Sequence, residues 1–247
     1  MKKLINKKFI IFLKIFSILL FWKTITLLNP SFLPSPGEVF QILFVELNNG
    51  NLLHHTFKSL FRVIIGVTLG ALTGVSLGLL ITRFQPFLDL LNDLILVLKS
   101  IPPIAWIPLV ILWLGIGEAS KIYIIAYASF FPIVLNTILG VKSIDKNLLK
   151  MAKSMNLKGF QELKEVIIPG ALPSILMGLR IGLGVGWMSL IASEMIGATA
   201  GLGYMIEESR LILSIPRVIV GMIIIGILGF LGDKSLQRLE KKLIPWL

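Results

Sequence analysis

Apolar runs long enough to cross a bilayer recur along this chain, and the lysines collect in the short segments between them. A spanning helix needs about 20 mainly apolar residues. Such runs are predicted at 9–28, 58–82, 96–116, 119–141, 171–197 and 213–232. Only 15% of the 247 residues are charged and 55% are hydrophobic, whereas a soluble domain carries roughly 25% charge. Even a large soluble domain buries only about three quarters of its surface, so lipid must serve as the solvent. The expected fold is an all-α membrane protein of six transmembrane helices.

The charges orient these spans. Lys2, Lys3, Lys7 and Lys8 precede the first run; Arg83, then Lys142, Lys146, Lys150, Lys153, Lys158 and Lys164, then Lys234, Arg238, Lys241 and Lys242 fall in alternate connections. The opposite connections hold mainly Lys121, Arg210 and Arg217, with Lys23, Lys58 and Arg62 at the boundary. By the positive-inside rule both termini are cytoplasmic. The first run lacks a following small-x-small cleavage site, so it reads as an uncleaved helix whose Lys14 and Lys23 snorkel to opposite surfaces. Segment 36–56, with Val39, Ile42, Leu43 and Leu47 at helical spacing, suits a membrane surface. The net charge of +11 follows the membrane pattern and is not read as nucleic-acid binding.

Two helices carry glycine at every fourth residue: Gly66, Gly70, Gly74 and Gly78 in one, Gly178, Gly182 and Gly186 in the other. Such faces let backbones approach closely. Pro102, Pro103 and Pro108 in or beside the third run, and Pro132 in the fourth, predict kinked helices bordering a cavity, because each frees a carbonyl that must be satisfied.

The connection from Lys142 to Pro169 is the most informative. Asp145 is placed to cap a helix through Met155. Leu148, Met151, Ala152 and Met155 form an apolar stripe, with Lys146, Lys150 and Lys153 opposite. Gly159 interrupts it, and Phe160 to Ile167 leads on to Pro169. Such a helix either lies against lipid headgroups or seats in a groove of a soluble partner.

This loop resembles the signature of the integral-membrane permeases of binding-protein-dependent ABC importers: Glu-Ala-Ala, three residues, Gly, nine residues, Ile-x-Leu-Pro. Here Lys150-Met151-Ala152 is followed at the same spacing by Asn156 and by Val166-Ile167-Ile168-Pro169, with Lys150 in place of the acid and Asn156 in place of the glycine. Leu33-Pro34-Ser35-Pro36, Ser59-Leu60-Phe61-Arg62, Ile101 to Leu109, Leu114 to Glu118, Phe130-Phe131-Pro132, Leu172 to Ile175 and Gly201 to Ile206 are similar to the branch for sulfonates, taurine, nitrate and bicarbonate, which also includes permeases for pyrimidine precursors.

The resemblance implies a type I importer fold, with residues 1–35 as an N-terminal helix and loop and 36–247 as the transmembrane domain (core about 56–236). It implies that Lys150, Met151, Ala152, Met155, Asn156, Leu157 and Gly159 form a coupling helix against a cytoplasmic ATP-binding subunit pair. It also implies a homodimer in membrane lipid, fed by an extracytoplasmic solute-binding protein and carrying a small solute. No phosphate loop GxxxxGK[ST] is present, so ATP hydrolysis is expected in another subunit.

Ionisable residues at membrane depth should face protein or water. Arg180 is expected near mid-bilayer; Arg62 and Glu194 share a height near the outer surface. One reading pairs Arg62 with Glu194; another makes Arg180 part of a route for a small anion. No cysteine occurs, no metal or other cofactor is called for, and the adjacent His54 and His55 diverge on a helix. The tryptophans, Trp22, Trp106, Trp113, Trp187 and Trp246, read as packing residues and interfacial anchors. A membrane-embedded enzyme would need a catalytic constellation that is not visible. A secondary transporter, the main alternative, should show two similar halves, and none are seen.

Overall fold

The computed structural model describes residues 13, 16–17, 19–28, 33–83 and 85–244. Every regular element among them is a helix: α1 (Leu19–Leu28), α2 (Pro36–Asn48), α3 (Asn51–Arg83), α4 (Gln85–Lys99), α5 (Pro103–Leu114), α6 (Glu118–Lys142), α7 (Lys146–Ser154), α8 (Phe160–Glu162), α9 (Ile168–Gly197), α10 (Leu202–Leu211) and α11 (Ile215–Leu243). Among the described residues four helices are long and apolar enough to cross a membrane: Asn51–Thr82, Glu118–Lys142, Phe160–Gly197 and Ile215–Leu243. The basic start of the first expected span, with Lys14, lies outside the described residues, as does Trp246.

The third expected span departs from a single straight helix. It is divided between α4 and α5, which meet at 89°. Pro102 stands in extended backbone at φ −57°, ψ 138° and Pro103 opens α5. A residue preceding proline is driven out of the helical region, so two consecutive prolines force the corner. Counted as one crossing, this bent pair gives a fifth span.

At Pro169 the opposite happens. The chain runs through as one helix from Phe160 to Gly197, and Leu163–Ile167 widen to a π turn just before the proline. Pro169 cannot donate to the carbonyl four residues back, and its ring would strike it. The wider turn takes up that misfit, a usual role of π bulges.

α6 is the centre of the bundle. Gly66 faces Ile122 and Ile125, Gly70 faces Ala126 and Ser129, Gly74 faces Phe130 and Ile133, and Gly78 faces Val134 and Thr137. The contacts advance together, so α3 and α6 are parallel. On the other side Gly140 faces Ala171 and Ser174, Gly178 faces Pro132 and Asn136, and Gly182 and Gly186 face Ser129. That order is antiparallel. Both glycine ridges therefore do what their spacing predicts: they bring a neighbouring backbone within van der Waals contact of α6, where dispersion replaces the water-driven term of soluble bundles.

The surface helix expected over 36–56 is part of this bundle instead. Ser35 caps α2, its hydroxyl accepting from the Glu38 N–H at 3.3 Å, and a turn at Gly50 leads straight into α3. Val39 is buried with Leu52, Leu202, Met205 and Val220, and Ile42 and Leu43 pack beside them. Phe40 and Phe44, on the other side of the helix, are exposed.

The ridge makes a checkable demand. A Cβ on Gly70 would lie 2.7 Å from the Ala126 carbonyl oxygen, a backbone atom held in α6, whereas one on Gly184 meets nothing within 4 Å. We expect Gly70→Ala to lower stability by about 1–3 kcal/mol and Gly184→Ala to leave it unchanged, as read by thermal unfolding in detergent.

Candidate functional site

The segment between α6 and α9 builds a short helix at one end of the bundle. Asp145 starts it: its Oδ1 accepts from the Asn147 N–H at 2.8 Å and its carbonyl from the Leu149 N–H at 3.2 Å. The helix closes in a Schellman turn, with the Leu157 N–H donating to the Ala152 carbonyl at 3.0 Å across Asn156 at φ 59°. That position needs a left-handed residue. Asparagine enters this region more readily than other side chains do, so Asn156 keeps the turn that a glycine would make. Gly159, at φ 62°, makes the second reversal into α8.

The predicted apolar stripe divides into two. Ala152 is 3% exposed, packed towards the bundle, whereas Leu148, Met151 and Met155 stand out at 44%, 61% and 72%, beside Phe160 at 75%. α7 rests on the π segment through its small residue and turns its large apolar ones outward. Lys150 and Asn156 are exposed; Leu157 and Gly159 are half-buried. The Lys153 side chain lies outside the described residues.

At the opposite end of the bundle Arg62 and Glu194 pair, Nη1 to Oε1 at 2.7 Å, as expected. The pair belongs to a larger network that the sequence reading did not assemble. Arg62 Nε and Nη2 donate to the two carboxylate oxygens of Glu118, each at 2.6 Å, and Nη1 also donates to the Ala200 carbonyl. The Ser59 hydroxyl lies 2.8 and 2.9 Å from the Glu194 oxygens and accepts from the Leu202 N–H at 2.8 Å. The Gly203 N–H donates to Glu194 Oε2 at 2.8 Å, and the Gly201 N–H donates to Nδ1 of His55 at 3.1 Å. A side chain on Gly201 would overlap the Glu194 carboxylate. Ser59, Arg62 and Glu194 are all buried. One charge cluster thus ties α3, the start of α6, the end of α9 and the 198–203 turn together. His54 and His55 fall on different faces, and His55 serves this turn.

Arg180 is not a free cation. Its Nε donates to Asp233 Oδ1 at 2.9 Å and its Nη1 lies 3.5 Å from Glu240, both on the last turns of α11. Gly178 and Gly182, on either side of it, face Pro132, Asn136 and Ser129 of α6, so Arg180 stands level with the middle of that helix. Pro103, at the α4–α5 corner, and Pro132, inside an unbroken α6, border a cavity of about 450 Å³, with Lys99, Tyr127, Asn136 and apolar residues. Lys99 drew no attention in the sequence because it sits near the end of a run.

Long apolar helices, a proline-broken pair beside a cavity and an exposed helix at one end define a polytopic membrane transport subunit. Residues 66–245 match the family described as "Binding-protein-dependent transport system inner membrane component". The chain is 37% identical over 228 residues to the taurine transport system permease protein TauC of Escherichia coli, covering 90% of this chain and 83% of that one. It is 32% identical over 237 residues to the nitrate import permease protein NrtB of Synechocystis, covering 92% and 86%. An inward-facing structure of the MetNI methionine ABC transporter shares the fold, with a TM-score of 0.71 at 19% identity over 80% of this chain and 98% of that one. The chain belongs to the family of inner-membrane permease components of binding-protein-dependent ABC importers. The ion-coupled secondary carrier is not favoured.

Two substitutions probe these sites. Arg62→Ala leaves Glu194 buried without its cation, and we expect a loss of about 3–5 kcal/mol. Glu118→Ala, whose side chain is 46% exposed and screened by solvent, should lose about 1 kcal/mol or less; thermal unfolding of the purified protein separates them. At Asn156, glycine should be neutral or stabilising, whereas valine should cost about 1–2 kcal/mol through left-handed strain, measured in the same way.

Proposed function

We propose that this chain works as one of two identical permease subunits through which an ATP-driven importer passes a small solute, with α7 as the coupling helix. The observation that supports this reading is the outward apolar face of Leu148, Met151, Met155 and Phe160, edged by Lys146, Lys150 and Lys158 on a helix that the bundle itself leaves uncovered. An ATP-binding subunit with an apolar cleft would take the methionines, whose flexible thioethers suit an interface that shifts during a cycle. Ala152 then acts from behind, as the small residue on which α7 pivots against the π segment.

Orientation follows from charge. The lysine-rich ends of α6 and α11 and the segment 142–164 share the α7 end, so this end faces the cytoplasm, and the Arg62 cluster faces outward, where a solute-binding protein would dock. The solute is a small molecule with an oxyanion group, as are the taurine and nitrate that relatives are named for. ATP hydrolysis takes place in the partner subunits.

Met151→Asp tests the coupling surface. Because Met151 is exposed, the variant should fold and reach the membrane at normal levels. ATP hydrolysis stimulated by the binding protein should fall by about tenfold or more, as a charge enters an apolar contact. Wild-type stimulation in proteoliposomes would remove α7 from the interface.

A further inference from the structure

We propose that the cavity beside the α4–α5 corner is a transit site for a small organic oxyanion, such as an alkanesulfonate, and that Lys99 supplies its positive charge. This deepens the importer reading and rests on it. The depth comes from a hydrogen bond: the Tyr127 hydroxyl donates to the Leu98 carbonyl at 3.0 Å. Tyr127 stands about 14 Å along α6 from Glu118 and about 22 Å from Lys142, at 1.5 Å per residue. Leu98 and Lys99 therefore lie beside the middle of a spanning helix, where a cation marks a pathway or a partner by default.

Among the described residues Lys99 has no such partner. Among those residues the arginines that the bundle covers are compensated: Arg62 by Glu194 and Glu118, Arg180 by Asp233 and Glu240, Arg217 by Glu46 and Glu208. Lys121 donates to the Gly117 carbonyl at 2.8 Å. Among the described residues Lys99 makes no ion pair, and no carboxylate of theirs lines the cavity. The missing negative charge is what an anionic solute would bring. Asn136, whose amide uses one N–H on the Pro132 carbonyl at 2.8 Å, has a second to offer, and Lys99 has three.

The remaining wall selects for an organic tail. Phe131, Leu135, Leu139, Ile181 and Val185 face the space. Its volume of about 450 Å³ falls within the range of small-molecule sites, roughly 300–1,000 Å³. A fully hydrated inorganic ion gains nothing from such walls, whereas a short alkyl chain does. One ammonium without a bidentate fork gives charge recognition with little geometric demand, which suits a site that must release its ligand.

The test uses the complete transporter in proteoliposomes, with ethanesulfonate as the probe and nitrate alongside. Wild type should accumulate ethanesulfonate when ATP is present. Lys99→Met should lose this uptake by about tenfold or more and Lys99→Arg should keep most of it, while the binding protein stimulates ATP hydrolysis equally in all three. That equality shows that both variants fold and couple. Lys99→Met uptake within about twofold of wild type would overturn the proposal. So would a wild type that carries neither anion although its ATP hydrolysis still responds to the binding protein, and the importer reading would survive that result. A wild type whose partner subunits hydrolyse ATP with no response to the binding protein would sink both.

Discussion

The structure depends on how closely two helices approach α6. Seven glycines, four on α3 and three on α9, meet its backbone and β-carbons at distances where an added methyl would have to displace something. In lipid no hydrophobic gain accrues from pressing apolar helices together, so the contact has to come from dispersion over smooth surfaces. α3, α6 and α9 form a slab in which Ile125 and Ile133 of α6 fill the glycine faces of both neighbours, and Val63, Ile125, Trp187 and Leu190 join all three.

The two ends of that slab are finished differently. At the α7 end the contact with the bundle is made through one alanine and two left-handed turns, at Asn156 and Gly159. At the far end Arg62, Glu118, Glu194 and Ser59 bind three helices and the 198–203 turn through bonds of 2.6–2.9 Å. A buried network of this kind has few intermediate states: removing one partner strands a charge. The bundle thus has a lightly attached helix at one end and a locked charge cluster at the other, and the glycine seams run between them.

Much of this was legible from residue order because membrane constraints act locally. Apolar length set the spans, fourfold glycine spacing set the seams, and the loop from Lys142 to Pro169 carried its own caps and breaks. Arg62 and Glu194 could be matched from depth alone. What escaped needed three dimensions. Ser59 lies one turn from Arg62 on the same face of α3, and Glu118 opens α6, yet nothing in either neighbourhood says that they converge on Glu194, which is 135 residues from Ser59. The split of the α7 stripe escaped for a related reason: helical periodicity gives a face, and only the π segment behind it decides that Ala152 goes in and Met151 goes out. The partners of Arg180 escaped in the same way: Asp233 and Glu240 lie 53 and 60 residues away on α11.

The prolines show how the same rule produces opposite outcomes at membrane depth. Each removes a donor and strands the carbonyl four residues earlier. At Pro169 the stranded group sits at the α7 end of the bundle, and a π turn absorbs it with the helix unbroken. At Pro102 the group is the Leu98 carbonyl, deep beside α6. There the helix ends, the Ile101 N–H turns back to that oxygen at 3.2 Å, and Tyr127 reaches across to donate to it as well. Non-helical backbone is tolerated in hydrocarbon only where protein or water serves it. The corner therefore needed a hydroxyl from α6, and the same Tyr127 that supplies it lines the cavity, so the backbone repair and the cavity are one feature, with Lys99 at its edge.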